Sequence, residues 1–119
     1  MSKLIFLDID GTIRDFSGII PDSAVRAVRK ARKAGHTICV CTGRPYWLVE
    51  QRVLDIGFDG VVSGAGTYIM LDGECIEHRY FPGDVLQEIC GYFEKEECLF
   101  EMQDHRQGYL LESRKDIYG

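Results

Sequence analysis

Two aspartates separated by one residue are the strongest candidates in the sequence for catalytic or metal-binding residues. Asp8 and Asp10 directly follow the apolar run of residues 4–7 and precede Gly11 and Thr12. Such close carboxylates repel each other, and a hard divalent cation such as Mg²⁺, which prefers oxygen ligands, would relieve that repulsion. One carboxylate can act as a nucleophile while its neighbour transfers protons. The alternative interpretation is a loop of solvated acids in which Gly11 only permits a turn.

A second polar segment, Thr42-Gly43-Arg44, follows another apolar run at residues 37–41. The hydroxyl of Thr42 could donate to a phosphate oxygen, and the free N–H groups at the start of a following helix would add further donors. Arg44 could contact a substrate. The alternative is that Thr42 merely caps a helix and Arg44 is exposed. If both segments lie at the same edge of a sheet, their combination favours phosphate binding, with the N–H groups around Gly11 and Thr12 also facing the anion.

The elements that would position these residues alternate between strand and helix. Residues 3–7 and 37–41 are predicted to be strands buried on both faces, and residues 61–63 a shorter third strand. A helix from Pro21-Asp22-Ser23 to about residue 34 and another over about residues 45–56 connect them. Two consecutive βαβ units predict an open parallel α/β sheet, in which ligands bind at the carboxyl ends of the strands.

The pattern changes in the second half of the chain. Residues 67–71 and 74–81 flank Asp72-Gly73, a turn signal typical of a β-hairpin. Apolar residues on one face predict an amphipathic helix over residues 84–97. Two further strands are expected, at residues 98–102 and 109–112.

Composition and charge exclude several classes of protein. The chain has 119 residues, of which 45% are hydrophobic and 28% charged, ordinary values for a globular domain. Residues 1–60 carry a net charge of +2 and residues 61–119 a net charge of −7, which argues against a nucleic-acid partner. No apolar run is long enough for a membrane span, and the N-terminus does not resemble a secretory signal, so we expect no membrane partner and a cytoplasmic location.

Cysteines and histidines give weaker signals. The five cysteines are odd in number, and Cys39 and Cys41, on one side of a strand, are expected to be buried reduced thiols. His36, His78 and His105 are far apart in the sequence and are expected to be isolated surface residues. Tyr46-Trp47 is expected to pack beneath the second helix, the alternative being that it lines a substrate pocket.

Taken together, these segments show a resemblance to a known family. Residues 4–13 resemble the first motif of the haloacid dehalogenase-like hydrolases, and Thr42-Gly43-Arg44-Pro45 resembles the second. The hairpin and following helix are most similar to the Cof-type branch, which includes many sugar-phosphate phosphatases. The resemblance implies a Rossmann-like parallel sheet with an α+β cap. Residues 1–81 would form part of the core, including the hairpin, and residues 82–119 the beginning of the cap.

The resemblance also implies residue roles. Asp8 would be the nucleophile and a Mg²⁺ ligand, and Asp10 the general acid/base with its main-chain carbonyl on the metal. Thr42 would bind the phosphoryl group, with Gly43, Gly11 and Thr12 contributing to the phosphate site. The implied activity is Mg²⁺-dependent hydrolysis of a small phosphorylated metabolite, such as a sugar phosphate, through an aspartyl-phosphate.

The sequence also departs from the family pattern. The family's later lysine and its second acidic pair have no counterpart after Leu111, so the chain resembles an N-terminal portion and is expected to show at most trace phosphatase activity alone. Two alternatives remain: a phosphomutase using the same aspartates, or a catalytically incomplete chain that binds phosphate or a protein partner. In such a portion the strand at residues 4–7 would be an exposed edge that favours self-association.

Overall fold

The computed structural model describes residues 1–110, which build one mixed five-stranded sheet and a separate two-stranded ribbon. The large sheet has the order β1-β2-β3-β4-β5, with β1, β2 and β3 parallel and β4 and β5 added antiparallel as a hairpin. Its strands are β1 (Leu4–Leu7), β2 (Thr37–Cys41), β3 (Gly60–Ser63), β4 (Tyr68–Leu71) and β5 (Glu74–His78). The predicted α/β fold is confirmed, including the Asp72-Gly73 hairpin turn.

Helix α1 (Asp22–Lys33) forms where Pro21 and Asp22 predict it, and ends before Gly35, whose φ of 88° suits glycine at the end of a helix. The helix predicted over residues 45–56 is wrong. A 3₁₀ turn (Tyr46–Leu48) and the short α2 (Gln51–Leu54) take its place. Val49 and Glu50 between them are extended, because the Val49 side chain enters the core while Glu50 turns towards an arginine cluster at the sheet edge.

The hydrophobic core lies between the large sheet and the segments that connect its parallel strands. Its buried side chains are Ile9, Ile13, Val28, Ile38, Val40, Val49, Val53, Ile56 and Val61. The prediction that β1 is buried on both faces is wrong for the described residues. Leu4 and Phe6 are 60% and 52% exposed, because β1 is an edge strand with α1 on only one side. Cys39 and Cys41 were both expected to be buried thiols. Cys39 is buried, but Cys41, at the end of β2, is exposed, so the prediction is wrong for Cys41.

The second half continues with α3 (Gly83–Lys95) and the ribbon of β6 (Met102–Gln103) and β7 (Gly108–Tyr109). The helix agrees with the prediction. The strands are shorter than predicted, and the end of the predicted 109–112 strand lies outside the described residues. None of the helices in the described part is long and apolar enough to cross a membrane.

Asp59 ties α1 to the sheet. Its carboxylate accepts hydrogen bonds from the main-chain N–H of Ile38 (2.8 Å) and from Nε and Nη2 of Arg32 (3.0 and 2.5 Å). Arg29 and Arg32 also donate to main-chain carbonyls in the segment just after α2, so these two side chains join α1 to that segment. These bonds, from Arg32 first and then from Ile38, lower the pKa of Asp59.

Asp59→Asn is expected to lower the free energy of unfolding by about 1.5–3 kcal/mol at neutral pH, the range for hydrogen bonds to a charged group. Because the folded-state pKa is lowered, the contribution is present above the unfolded pKa and is lost as pH falls below about 4. Urea unfolding at neutral and acidic pH measures it, with Asp22→Asn on the exposed start of α1 as the control. An equal loss at both pH values would contradict the electrostatic origin.

Candidate functional site

A tight loop after β1 turns the two aspartates away from the core by burying the residue between them. Ile9 is fully buried, and its carbonyl accepts from the N–H groups of Thr12 (3.3 Å), Ile13 (3.1 Å) and Arg14 (3.1 Å). The Asp8 side chain is exposed at the carboxyl end of β1, with Oδ1 accepting from the N–H of Ile9 at 2.8 Å. Asp8 therefore presents a carboxylate to any ligand at this edge.

Asp10 is bound by two arginines. Arg44 donates from Nε to Oδ2 (2.9 Å) and from Nη2 to Oδ1 (2.8 Å), and Arg14 donates from Nε to Oδ1 (2.9 Å). The hydrogen bonds from Arg44, followed by those from Arg14, hold the pKa of Asp10 below its usual range. Guanidinium groups thus balance the charge on Asp10, for which the spacing of the two aspartates predicted a divalent cation.

Glu50 contacts the same two arginines that bind Asp10. Its Oε1 accepts from Nη1 of Arg14 (2.5 Å) and lies 3.5 Å from Nη1 of Arg44, while its other oxygen pairs with Arg52. Asp10, Arg44, Glu50 and Arg14 therefore form a ring of alternating charge. Sequence reasoning missed Arg14 and Glu50, since neither lies in a motif and the contact requires three separate loops to meet.

Thr42 lies at the end of β2, directly beside this ring, as predicted. It is 5% exposed, its N–H donates to the carbonyl of Val62 (2.9 Å), and its Oγ1 accepts from the N–H of Arg44 (3.1 Å). The turn after β3 supports it, because Gly64 N–H donates to the Arg44 carbonyl and Ala65 N–H to the Thr42 carbonyl (2.7 and 3.2 Å). Within residues 1–110 the N–H of Gly43 has no protein acceptor, which leaves a donor next to Thr42.

The loop amides of Gly11 and Thr12 are used differently from the prediction. The N–H of Gly11 donates to the carbonyl of Arg14 (2.8 Å) and that of Thr12 to the carbonyl of Ile9 (3.3 Å). Gly11 has a φ of 78°, which favours glycine and makes the turn possible. The two amides therefore stabilise the loop instead of facing an anion, and Gly11 and Thr12 contribute to the site through the shape of that turn.

A cleft of about 840 Å³ lies between the β4–β5 hairpin and the α3–ribbon region, and Gly43 is among the residues that line it. His78 and His105, expected to be isolated, meet in it with ring centroids 4.4 Å apart. The fold brings them together because His78 ends β5 and His105 lies in the turn between β6 and β7. Tyr46 contacts the core and also lines the cleft, whereas Trp47, 41% exposed, does not pack as predicted.

Comparison with known proteins shows the family to which the chain belongs. The model of the haloacid dehalogenase-like hydrolases matches residues 5–118. The chain belongs to this family. The match includes the Asp8–Asp10 loop, the Thr42 turn and the cleft, so all parts of the candidate site lie inside the family's fold.

Two relatives and one solved structure illustrate which members of the family the chain resembles. YkrA of Bacillus subtilis, named as a candidate phosphatase, is 31% identical over 74% of this chain and 34% of its own length. A phosphoglycolate phosphatase of Thermoplasma volcanium is 30% identical over 71% of this chain and 38% of its own. The solved structure of the subclass IIB sugar phosphatase BT4131 superimposes with a TM-score of 0.77 at 25% identity, over 99% of this chain and 48% of that one. The chain thus spans less than half the length of these relatives.

The possible metal ligands around Asp8 are oxygen atoms, the ligand type that a hard cation prefers. Family members of this type generally use Mg²⁺, which takes oxygen ligands and is commonly held by one or two carboxylates plus water. Asp8 supplies an exposed carboxylate, whereas the Asp10 side chain is occupied by arginines, which leaves only its main-chain carbonyl for a metal. Across residues 1–110, no three metal-ligating side chains cluster together.

Proposed function

We propose that this chain carries the nucleophile and phosphate-binding parts of a Mg²⁺-dependent phosphomonoesterase that acts on a small phosphorylated metabolite. The single observation that supports it most strongly is the exposed Asp8 carboxylate at the same sheet edge as Thr42, with Asp10 bonded to Arg44 of the Thr42 turn. One nucleophile, one proton-transfer group and one set of phosphate donors thereby share one sheet edge. The names of the phosphatase relatives support the same reaction class.

In the first step, an Asp8 carboxylate oxygen attacks phosphorus and the bond from phosphorus to the leaving oxygen breaks. The leaving oxygen takes a proton from Asp10, and the phosphoryl group remains on Asp8. The hydroxyl of Thr42 and the N–H of Gly43 donate to the phosphoryl oxygens throughout. Since Arg44 and Arg14 favour ionised Asp10, this step requires their contacts with Asp10 to loosen when substrate binds.

In the second step, water attacks the phosphorus of the Asp8 phosphate. Ionised Asp10 accepts the water proton, phosphate leaves, and the Asp8 carboxylate is restored. The arginine pairing suits this step directly, because it keeps Asp10 in the form that accepts a proton. When bound, Mg²⁺ supplies positive charge that offsets the charge of the phosphate oxygens, and the Asp8 carboxylate and the Asp10 main-chain carbonyl would hold it.

We further propose that residues 1–81 belong to the core and residues 82–119 begin the cap. The separate α3 and β6–β7 ribbon, facing the large sheet across the cleft, support this division. A sugar phosphate is the proposed substrate class, supported by the likeness to a sugar phosphatase.

The proposed function is tested by measuring phosphate release from a panel of phosphorylated metabolites with Mg²⁺ and again after chelation. Release by the 119-residue chain is expected to be no more than a trace, but it should require Mg²⁺ and saturate with substrate. Saturable hydrolysis that persists undiminished in chelator would contradict the proposal.

Arg44→Lys is expected to slow hydrolysis by about 10²-fold, the lower end of what a positioned proton-transfer group contributes. Lysine cannot replace the bidentate hydrogen bonds that Arg44 donates to both carboxylate oxygens of Asp10. Steady-state kinetics measures the effect, with Arg52→Lys, which contacts Glu50 but not Asp10, as the matched control. Equal activity of the Arg44 and Arg52 variants would contradict a positioning role for Arg44.

Self-association through β1 is a further expectation. Within the described residues β1 pairs only with β2, and it carries the exposed Leu4 and Phe6. An open strand edge of this kind can pair with another chain. Light scattering of the 119-residue chain should therefore show oligomers or aggregates at moderate concentration. A monodisperse monomer at high concentration would contradict this expectation.

A further inference from the structure

Glu50 belongs to the ring of alternating charge, but neither step of the proposed hydrolysis uses it. The residue directly precedes α2, a position from which a side-chain acceptor commonly caps a helix. Within the described part of the chain its carboxylate caps no N–H group of α2 and contacts three arginines instead: Arg14, Arg44 and Arg52. The Glu50 side chain therefore serves the ring and not its own helix.

The guanidinium group of Arg44 is held on two sides. Its Nε and Nη2 donate to the carboxylate of Asp10 (2.9 and 2.8 Å). Its Nη1 donates to the carbonyl of Leu48 (3.2 Å) and lies 3.5 Å from Oε1 of Glu50. Because the group is planar and rigid, contacts at Nη1 also set the direction of the edge that faces Asp10. Glu50 thus helps to orient Arg44 towards Asp10 without touching Asp10 itself.

Arg14 is shared between the same two acids. Its Nε donates to Oδ1 of Asp10 (2.9 Å) and its Nη1 to Oε1 of Glu50 (2.5 Å). The side chains of Arg14 and Arg44 are only 16% and 25% exposed, so both cations are largely withdrawn from water. A cation in such a position is costly unless an acidic group pairs with it. Once Asp10 is protonated, Glu50 is the acid of the ring that still pairs with both arginines.

We propose that Glu50 is a positioning residue, which holds Arg14 and Arg44 in place while protons move to and from Asp10. The inference rests on the proposed function, in which the Asp10 proton passes to the leaving oxygen and a water proton later replaces it. Between these steps Glu50 keeps a negative charge beside both guanidinium groups, so their contacts with Asp10 can loosen and form again. This supplies a physical reason for the loosening that the first step requires.

Glu50→Ala tests this role through the leaving group. p-Nitrophenolate leaves without a proton, whereas the alkoxide of glycerol 2-phosphate needs the proton from Asp10 as it leaves. We expect the variant 119-residue chain to lose about tenfold or more in kcat/KM for glycerol 2-phosphate and less than about threefold for p-nitrophenyl phosphate, since proton transfer contributes about 10²–10⁴-fold only where it is needed. Equal losses for the two esters would overturn the proposal.

Two further variants separate charge from folding. Glu50→Gln keeps an oxygen that can accept from Arg14 but removes the negative charge, so it should show the same dependence on the leaving group. Asp55→Ala is the matched control, because it removes an acid at the other end of α2 whose side chain bonds to Gln51. The control should leave kcat/KM for both esters unchanged. A glutamine variant that behaves like the control would overturn the role of the Glu50 charge.

The Nε–H groups of the arginines give a readout that needs no turnover. In NMR spectra of the 119-residue chain we expect separate Nε–H signals for Arg14 and Arg44, because both groups donate to Asp10 and hydrogen bonding slows exchange with water. Arg44→Lys assigns one of them. Both signals should broaden in Glu50→Ala, and signals as sharp as in the unmodified chain would overturn the positioning role.

Failure of the proposed function would look different from failure of this inference. The unmodified chain would then release no Mg²⁺-dependent phosphate from either ester, and the role of Glu50 would fall with the reaction. Mg²⁺-dependent release from both esters, with the Glu50 and Asp55 variants alike, would instead overturn only the role of Glu50.

Discussion

Asp8→Asn is expected to reduce phosphate release to the uncatalysed background. An amide oxygen is a poor nucleophile, and the asparagine side chain carries no negative charge to attack phosphorus or to hold a cation. The fold should survive the change, because Asp8 is exposed and the one side-chain hydrogen bond that it makes within residues 1–110, from the N–H of Ile9, can be retained by the asparagine oxygen. The measurement is Mg²⁺-dependent hydrolysis of p-nitrophenyl phosphate at saturating substrate.

Asp22→Asn is the matched control for this experiment. It makes the same chemical change at an exposed position in the first turn of α1, away from the sheet edge. The control should retain the activity of the unmodified protein. Turnover in the Asp8 variant that equals turnover in the control would rule out Asp8 as the nucleophile.

Ile9→Ala is expected to lower the free energy of unfolding by about 2–5 kcal/mol, the usual cost of truncating a buried isoleucine. Ile9 is fully buried in the core, and its carbonyl holds the loop that carries both aspartates. Because small domains are stable by only about 5–15 kcal/mol, the loss should be obvious in urea unfolding. Ile9→Val provides the control, with an expected loss of about 0.5–1.5 kcal/mol. Equal, small losses in both variants would show that the loop is not anchored through this side chain.

The parallel strands, α1 and the hairpin were predictable because each has a strong local signal. Apolar runs end in polar residues at Asp8 and Thr42, Gly35 ends a helix, and Asp72-Gly73 forms the turn of the hairpin. The meeting of Asp8 and Thr42 at one sheet edge followed from parallel pairing alone. These features depend on residues close in sequence or on a rule of sheet topology.

The ring of Asp10, Arg44, Glu50 and Arg14 could not be predicted in the same way. Its members lie in three loops, and the contact of Glu50 with Arg14 depends on the break in the helix predicted over residues 45–56. A continuous amphipathic pattern conceals such a break, because the extended Val49 still places an apolar side chain in the core. The histidine pair was missed for a related reason: only tertiary packing brings the turn after β6 to the end of β5.

The position of the phosphoryl group tests the central claim most directly. The protein is mixed with p-nitrophenyl phosphate and Mg²⁺, quenched in acid during turnover, digested and examined by mass spectrometry. We predict the added mass of one phosphoryl group on the peptide that contains Asp8, located to the Asp8 side chain and absent from the Asp8→Asn protein. Turnover with the phosphoryl group on another residue, or with Asp8 unlabelled throughout, would contradict the account.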